Sequence, residues 1–228
     1  MIYIFSHLGL GDHIICNGIV RYYSEIYEKV FVFVRQHNFS NVSYMYRDNP
    51  NIIPIVAGDE FEVEDYIEEN KLLDKVIKVG FDGLTFNEET TFDVEFYKTI
   101  GLDFSLRFDK FYFLRDYQIE SDILKKLNPN NEKYIFTHGV DHDRISTEYK
   151  IITNPIEYKV FDLLTLIENA EEVHIMESSI KNIINSYKFK KPKIYFHTYS
   201  RGYSNYYHSV GLNDFIYIDW NEWRNNKC

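Results

Sequence analysis

Two short segments of the chain combine residue types that could carry out chemistry on a bound substrate. The first is residues 6–13, SHLGLGDH, which joins two glycines to a carboxylate and two imidazoles. Glycines let a backbone turn tightly and approach a ligand closely, and the free amides that open a helix bind anions or sugar oxygens. A carboxylate there can take a proton from an attacking hydroxyl, so Asp12 is a candidate general base.

The same carboxylate has a structural interpretation, because an acid at a helix start caps free amides and contributes roughly 1 kcal/mol. His7 and His13 flank Asp12, and either imidazole could orient it or act as the base itself. A histidine beside a turn is equally suited to a plain hydrogen bond. We predict catalytic roles for Asp12 and His13 and substrate contacts at His7, Gly9 and Gly11.

A nicotinamide cofactor does not fit this turn. The dinucleotide-binding fingerprint requires a third glycine three residues after the second, and Ile14 occupies that position. The fingerprint also favours an acid after the second strand, where this chain has Arg35 and Gln36. We therefore do not predict a nicotinamide dehydrogenase, and we expect no cofactor.

The second segment is residues 173–180, in which an apolar run ends in an acid and two hydroxyls. Ser178 or Ser179 can cap the helix that follows, and the same hydroxyls and amides can hold a phosphate. Glu177, at the carboxyl end of the predicted strand, is placed to bind ribose or sugar hydroxyls. These residues predict a phosphate- and sugar-binding site in addition to a helix cap.

Two loops add candidates for that site. Thr137 and His138 end a predicted strand, Arg144 follows in a polar loop, and Arg201 follows a later strand. An arginine can pair with a diphosphate at two points, although a solvated loop arginine has the same sequence signature. The acids and histidine of residues 141–143 match no zinc spacing, so no metal is predicted.

Both segments lie in a chain whose short apolar runs alternate with stretches of helical period, which is typical of a parallel α/β fold. The predicted strands are residues 2–5, 30–34, 52–56, 75–79, 133–137, 150–153, 172–176 and 193–197. One helix of about 15 residues is predicted after the glycine turn. Ligands of open α/β sheets bind at the carboxyl ends of strands, where both segments fall. Residues 92–114 are interpreted as a connection that packs against both halves.

The first segment carries a family resemblance. Gly9-Leu10-Gly11-Asp12 after an amino-terminal strand, with an apolar helix ending in Arg21, resembles the start of heptosyltransferase-like GT-B glycosyltransferases. In that family the glycine turn borders the acceptor site, and the aspartate is the proposed base. The resemblance therefore implies the base role for Asp12 and acceptor contacts at His7, Gly9 and Gly11.

The second segment resembles the donor lobe of the same family. There a strand ends in Asp-Ser/Thr-Gly, with a histidine three residues after the glycine. Serine replaces that glycine here at Ser179, and asparagine replaces the histidine at Asn182. The implied ligands of a nucleotide-sugar donor are Thr137, His138, Arg144, Glu177, Ser178, Ser179 and Arg201.

The resemblance implies an α/β fold of two Rossmann-like lobes facing a cleft, as in GT-B enzymes. We expect residues 1–115 to form the acceptor lobe and residues 116–228 the donor lobe, with an aromatic tail that joins the core or crosses back. The implied activity is inverting, metal-independent transfer of a sugar from a nucleotide sugar to a hydroxyl acceptor.

Two other functions stay open at this point. A nucleotide-sugar epimerase or hydrolase could use the same scaffold, and an epimerase would need no acceptor. A non-catalytic module that binds a nucleotide or glycan is the third interpretation, and the departures at Ser179 and Asn182 motivate it.

Composition and charge indicate which partners and which cellular location to expect. The formal net charge of -10 argues against a broad nucleic-acid-binding surface. Two cysteines give no readable disulfide framework. The apolar amino terminus is short and lacks the basic leader of a signal peptide, and no stretch approaches the roughly 20 apolar residues of a membrane span. We therefore expect a cytoplasmic protein. The sequence does not indicate its oligomeric state.

Overall fold

The computed structural model describes residues 1–84, 90–198 and 211–218. These residues divide into two compact units, the first being Met1–Leu114 and the second beginning at Arg115. Each unit is built around its own parallel sheet.

The described residues of the first unit form a four-stranded parallel sheet. Its strands are β1 (Ile2–Ser6), β2 (Val30–Val34), β3 (Ile52–Val56) and β4 (Val76–Val79), in the spatial order β3-β2-β1-β4. All of β1 and most of β2 are buried, as parallel strands covered on both faces require. Pro54 lies in the edge strand β3, where a missing amide is tolerated.

The helices of the first unit differ from the prediction at one point. In the described ranges they are α1 (Leu10–Ile15), α2 (Asn17–Ile26), α3 (Phe39–Met45), α4 (Glu60–Glu69), α5 (Phe92–Lys98) and α6 (Leu106–Asp109), with 3₁₀ turns at Gln36–Asn38 and Leu73–Lys75. The single helix predicted after the glycine turn is wrong, because Cys16 separates α1 from α2. Its ψ is -1°, far from the helical value of about -42°. Beyond this break, a methyl group at Gly18 would stand 2.2 Å from the Leu106 carbonyl oxygen, so α2 and α6 are in close contact.

Residues 92–114 belong to the first unit and cover α1 and α2. Tyr97 donates its hydroxyl hydrogen to the Ile15 carbonyl oxygen at 2.8 Å. The Asn17 side chain exchanges two hydrogen bonds with the Tyr112 backbone, at 3.1 and 3.0 Å. This stretch therefore completes the core of the first unit.

In the second unit the described residues form a five-stranded parallel sheet. Its strands are β5 (Tyr134–His138), β6 (Lys150–Thr153), β7 (Glu172–Ile175), β8 (Lys193–His197) and β9 (Phe215–Ile218), in the order β6-β5-β7-β8-β9. Helices α7 (Tyr117–Leu127), α8 (Leu164–Asn169) and α9 (Ser179–Ser186) accompany them, with 3₁₀ turns at His142–Arg144 and Val160–Leu163. The sequence did not predict β9. Within the described ranges, none of the helices is long and apolar enough to cross a membrane.

The predicted α/β class is confirmed, and strand order adds what the sequence could not show. In the first sheet the chain moves outward from β1 to β2 and β3, then returns to place β4 on the other side of β1. In the second sheet β6 and β7 likewise lie on opposite sides of β5. Such a reversal opens a crevice at the carboxyl ends of the two central strands, the usual ligand position in open α/β sheets.

Candidate functional site

His7 joins the two strand ends at the reversal point of the first sheet. Its Nε2 lies 2.7 Å from the carbonyl oxygen of Gly80, which directly follows β4. Because a carbonyl oxygen only accepts, a proton must lie on Nε2. The ring also packs against Phe81, with the centroids 4.5 Å apart. His7 therefore holds the exits of β1 and β4 together and anchors the glycine turn.

The Asp12 carboxylate lies directly over Gly9. The Gly9 carbonyl oxygen accepts hydrogen bonds from the amides of Asp12 and His13 at 3.1 and 3.2 Å, and Gly11 lies in the same first turn of α1. A methyl group at Gly9 would come within 2.6 Å of Asp12 Oδ2, so the Asp12 side chain folds back towards the end of β1. This half-buried carboxylate stands at the positive end of α1, which suits both a cap and a base.

Gly9→Ala is expected to displace the Asp12 carboxylate while preserving the fold. Gly9 has a φ of -71° and a ψ of 144°, which alanine adopts readily, and the conflict is with the flexible end of one side chain. We expect the free energy of unfolding to change by less than about 1 kcal/mol. Activity that uses Asp12 should fall by up to roughly 100-fold. Urea denaturation and turnover rates measure the two effects.

Gly58→Ala is the matched control for this variant. A methyl group there would stand 2.8 Å from Glu62 Oε1, again the end of a flexible carboxylate, but after β3 instead of β1. We expect that variant to keep full activity. Equal activity of the Gly9 and Gly58 variants would show that the position of the Asp12 carboxylate does not matter.

His13, the second predicted catalytic residue, is buried and 1% exposed. Neither of its ring nitrogens has a hydrogen-bond partner in the part of the chain that the structure describes. Burial lowers the pKa of His13 to about 4, so the ring is neutral near pH 7 and a weak base. Asp12 is thus the better placed of the two residues, and a catalytic role for His13 stays a prediction.

His13 should make the stability of the fold depend on pH. Its pKa is about 4 in the folded protein, below the ordinary histidine value of about 6.5, so the unfolded chain takes up the proton first as the pH falls. The full free energy of unfolding is therefore present above about pH 6.5 and falls by roughly 1.4 kcal/mol per pH unit down to about pH 4. Urea denaturation at about pH 7, 6 and 5 measures this slope.

His13→Leu is expected to reduce the dependence of the free energy of unfolding on pH. His37→Leu, at an exposed position, should leave that dependence unchanged. Part of the slope should persist in His13→Leu, because burial also lowers the pKa of His138 and of His174. A slope in His13→Leu identical to that of the wild type would contradict the assignment.

In the second unit, Thr137 and His138 end β5 at the reversal point. Thr137 is fully buried. Its hydroxyl lies 3.1 Å from His142 Nε2, and the Thr153 hydroxyl lies 2.8 Å from the same nitrogen. The two hydroxyls are 3.2 Å apart. This triangle joins β5 to β6. His138 is half-buried, and burial lowers its pKa.

Ser178 caps α9, as one of the two sequence alternatives predicted. Its Oγ accepts a hydrogen bond from the Lys181 amide at 3.4 Å and donates one to the Met176 carbonyl oxygen at 3.1 Å. Ser179 is the first residue of the helix. Glu177, in the loop between β7 and α9, has its Oε2 3.1 Å from Lys181 Nζ. A carboxylate, a buried ammonium and the amides that open a helix therefore lie close together here.

The exits of β5 and β7 adjoin each other. Gly139 follows β5 with a φ of +73°, a conformation that favours glycine. A methyl group there would lie 3.6 Å from the sulfur of Met176, which directly follows β7. The loops that follow β5 and β7 therefore lie side by side at the reversal point of the second sheet.

Two of the predicted donor ligands have no described side chain. The backbone of Arg144 lies in the 3₁₀ turn His142–Arg144, after β5. Arg201 lies outside the described residues, as does most of the aromatic tail that was expected to join the core or cross back. Their roles stay predictions.

Lys181, which pairs with Glu177, was not among the predicted site residues. Its signal was the spacing of four residues from Glu177 at the start of a predicted helix, which brings an acid and a base together. The contact of His7 with Gly80 gave no such signal, because 73 residues separate the two. Among the side chains that the structure describes, no group of three or more His, Cys, Asp or Glu could hold a metal ion.

Comparison with known proteins identifies the fold. No protein-family model matches the chain, and no curated protein matches it. The chain is similar to a solved structure, "The crystal structure of the glycosyl transferase family 9 from Veillonella parvula DSM 2008", with a TM-score of 0.60. The match covers 99% of this chain and 88% of that one at 8% sequence identity. The two proteins therefore share the α/β fold with two parallel sheets.

Proposed function

We propose that this protein is a glycosyltransferase that moves a sugar from a nucleotide-sugar donor to a hydroxyl acceptor, with inversion and without a metal ion. The observation that carries the proposal is the position of the two motif-bearing loops. Each loop follows a strand where the order of its sheet reverses, which is where open α/β sheets bind ligands. The fold shared with a glycosyl transferase family 9 protein agrees with this function.

In the first unit, Asp12 would accept the proton of the acceptor hydroxyl. Acceptor contacts are proposed at Gly9, over which the Asp12 carboxylate lies, and at Gly11, and His7 holds the turn through Gly80. The hydroxyl oxygen forms a bond to the anomeric carbon as the bond from that carbon to the diphosphate oxygen breaks. The nucleoside diphosphate leaves with the bonding electron pair, and attack opposite to it inverts the anomeric centre.

In the second unit, the donor would bind at the exits of β5 and β7. Glu177 is suited to ribose or sugar hydroxyls, and Ser178, Ser179 and the first amides of α9 to a phosphate. His138 and the buried Thr137 end β5 beside the loop that follows β7, and they are proposed as further donor ligands together with Arg144 and Arg201. Helix amides and cations would stabilise the departing diphosphate in place of a divalent ion. We expect the reaction to take place in the cytoplasm.

The proposal is tested with a panel of nucleotide sugars, incubated with and without glycan acceptors. Transfer predicts release of nucleoside diphosphate that depends on the acceptor, with a product heavier by one sugar. Equal release without an acceptor would indicate a hydrolase, and an isomerised donor an epimerase. Either result would overturn transfer. The anomeric proton coupling of the product tests inversion, and turnover in EDTA tests metal independence.

A binding module without turnover is the second candidate function, because several donor-site side chains already have protein partners. The Ser178 hydroxyl caps α9, the Thr137 hydroxyl contacts His142, and Glu177 is paired with Lys181. Calorimetry with nucleoside diphosphates, run beside the product assay, separates the two candidates. Binding without turnover over many acceptors would favour the module.

A further inference from the structure

Lys181 is a buried cation in a place that disfavours positive charge. It is the third residue of α9, and its side chain is 4% exposed. The opening turn of a helix carries a partial positive charge that repels an ammonium group. Burial of an ammonium also costs several kcal/mol unless partners compensate for it. A buried lysine in the first turn of α9 is therefore costly in free energy unless its surroundings stabilise the charge.

The described partners of this ammonium lie at the candidate donor site. Nζ is 3.1 Å from Glu177 Oε2 and 5.6 Å from the ring centroid of Phe196. Glu177 follows β7 at the reversal point, so the pair stands where a ligand is expected. The ion pair of Lys191 with Glu171 in the same unit lies away from this site, because Glu171 precedes β7 at the amino end of the strand. Its side chains are also more exposed, at 49% and 28%.

We infer that Lys181 is a donor-binding residue whose ammonium contacts a phosphate oxygen of the bound nucleotide sugar while it keeps Glu177 in place. This inference rests on the proposed function and adds to it a phosphate ligand that the sequence did not indicate. The ammonium keeps its proton throughout. When the bond to the anomeric carbon breaks, the negative charge that grows on the diphosphate meets a cation already in position. In a buried site that attraction is stronger than in water.

The test separates affinity for phosphate from affinity for the rest of the nucleotide. Calorimetry gives the dissociation constants of a nucleoside, its monophosphate and its diphosphate, for uridine, adenosine, guanosine and cytidine. We expect Lys181→Met, which removes the charge and nearly keeps the length, to weaken diphosphate binding by roughly 10- to 100-fold. Nucleoside binding should stay unchanged. A merely structural lysine would affect all three ligands alike.

Lys193→Met is the matched control, because Lys193 is exposed at the first residue of β8, the opposite end of the sheet. All of its affinities should equal those of the wild type. If the wild type binds none of the nucleotides, the proposed function and this inference fall together. If the wild type gains affinity from nucleoside to diphosphate and Lys181→Met shows the same gain, the inference alone falls.

Lys181→Met could also fail to fold, because it leaves Glu177 without its described ion-pair partner. A crystal structure of the wild-type protein with the best-binding diphosphate then decides the question. We expect Nζ of Lys181 within about 4 Å of a phosphate oxygen, the limit for an ion pair. A bound diphosphate with Nζ beyond that distance would overturn the inference.

Discussion

Asp12→Asn is expected to lose sugar transfer by roughly 10²- to 10⁴-fold, the usual contribution of a general base. Asparagine keeps the shape of the side chain over Gly9 but cannot take a proton from the acceptor hydroxyl. If Asp12 only caps α1, the same change should cost at most about 1 kcal/mol of stability and leave turnover intact. Initial rates with a saturating donor, together with urea denaturation, distinguish the two roles.

Asp65→Asn is the control for this measurement, because it makes the same chemical change at an exposed position of α4. That variant should match the wild type in both rate and stability. An Asp12→Asn protein with full activity would remove the base assignment. A variant that is inactive and also unfolded would be uninformative about the base, and Gly9→Ala then tests the carboxylate position independently.

Arg107→Met is expected to destabilise the first unit by roughly 3–5 kcal/mol, the cost of leaving a buried charge unpaired. Arg107 is 0% exposed and forms an ion pair with Asp93 of α5, which is 3% exposed. The guanidinium also lies against the rings of Phe104 and Phe108, 5.8 and 5.5 Å from their centroids. The pair therefore holds α5 and α6 together within the layer that covers α1 and α2. The shift of the urea midpoint, with an unchanged slope, measures the loss.

The ion pair of Lys78 with Glu64 provides the comparison, because it is more exposed. Lys78 Nζ lies 2.7 Å from Glu64 Oε1, and the two side chains are 32% and 50% exposed. Lys78→Met should cost no more than about 1 kcal/mol, as is usual for surface pairs. Arg107→Met combined with Asp93→Asn should recover part of the lost stability, because no buried charge is then left alone. A single Arg107 variant as stable as the Lys78 variant would contradict this account.

Several elements of the fold could be predicted because their signals are local. The strand predicted at residues 30–34 is β2 with the same bounds, and the one predicted at 133–137 is β5 displaced by one residue. Uninterrupted apolar runs such as VFVFV mark buried parallel strands. Ser178 or Ser179 was predicted as a helix cap from the position after a strand, and Ser178 is the cap. The α/β class followed from this alternation and is confirmed.

The features that were not predicted have different causes. The break between α1 and α2 has a local signal in Asn17-Gly18, a turn dipeptide that directly follows Cys16. The contact of Gly18 with the Leu106 carbonyl oxygen has no local signal, because it joins residues 88 positions apart. The sequence around His13 did not predict that its ring would be buried, with no hydrogen-bond partner among the described residues. The roles assigned to the site residues stay predictions.

The sequence by itself determined the segments that become β1 to β8 and the positions of the glycine turn and the serine cap. Hydrophobic periodicity and backbone preference act over a few residues, so they can be recognised from the sequence alone. Only the tertiary structure decided the strand orders, the link from His7 to Gly80, and the burial of the Glu177–Lys181 pair. Those features depend on which distant segments come into contact, and that choice minimises the free energy of the whole chain.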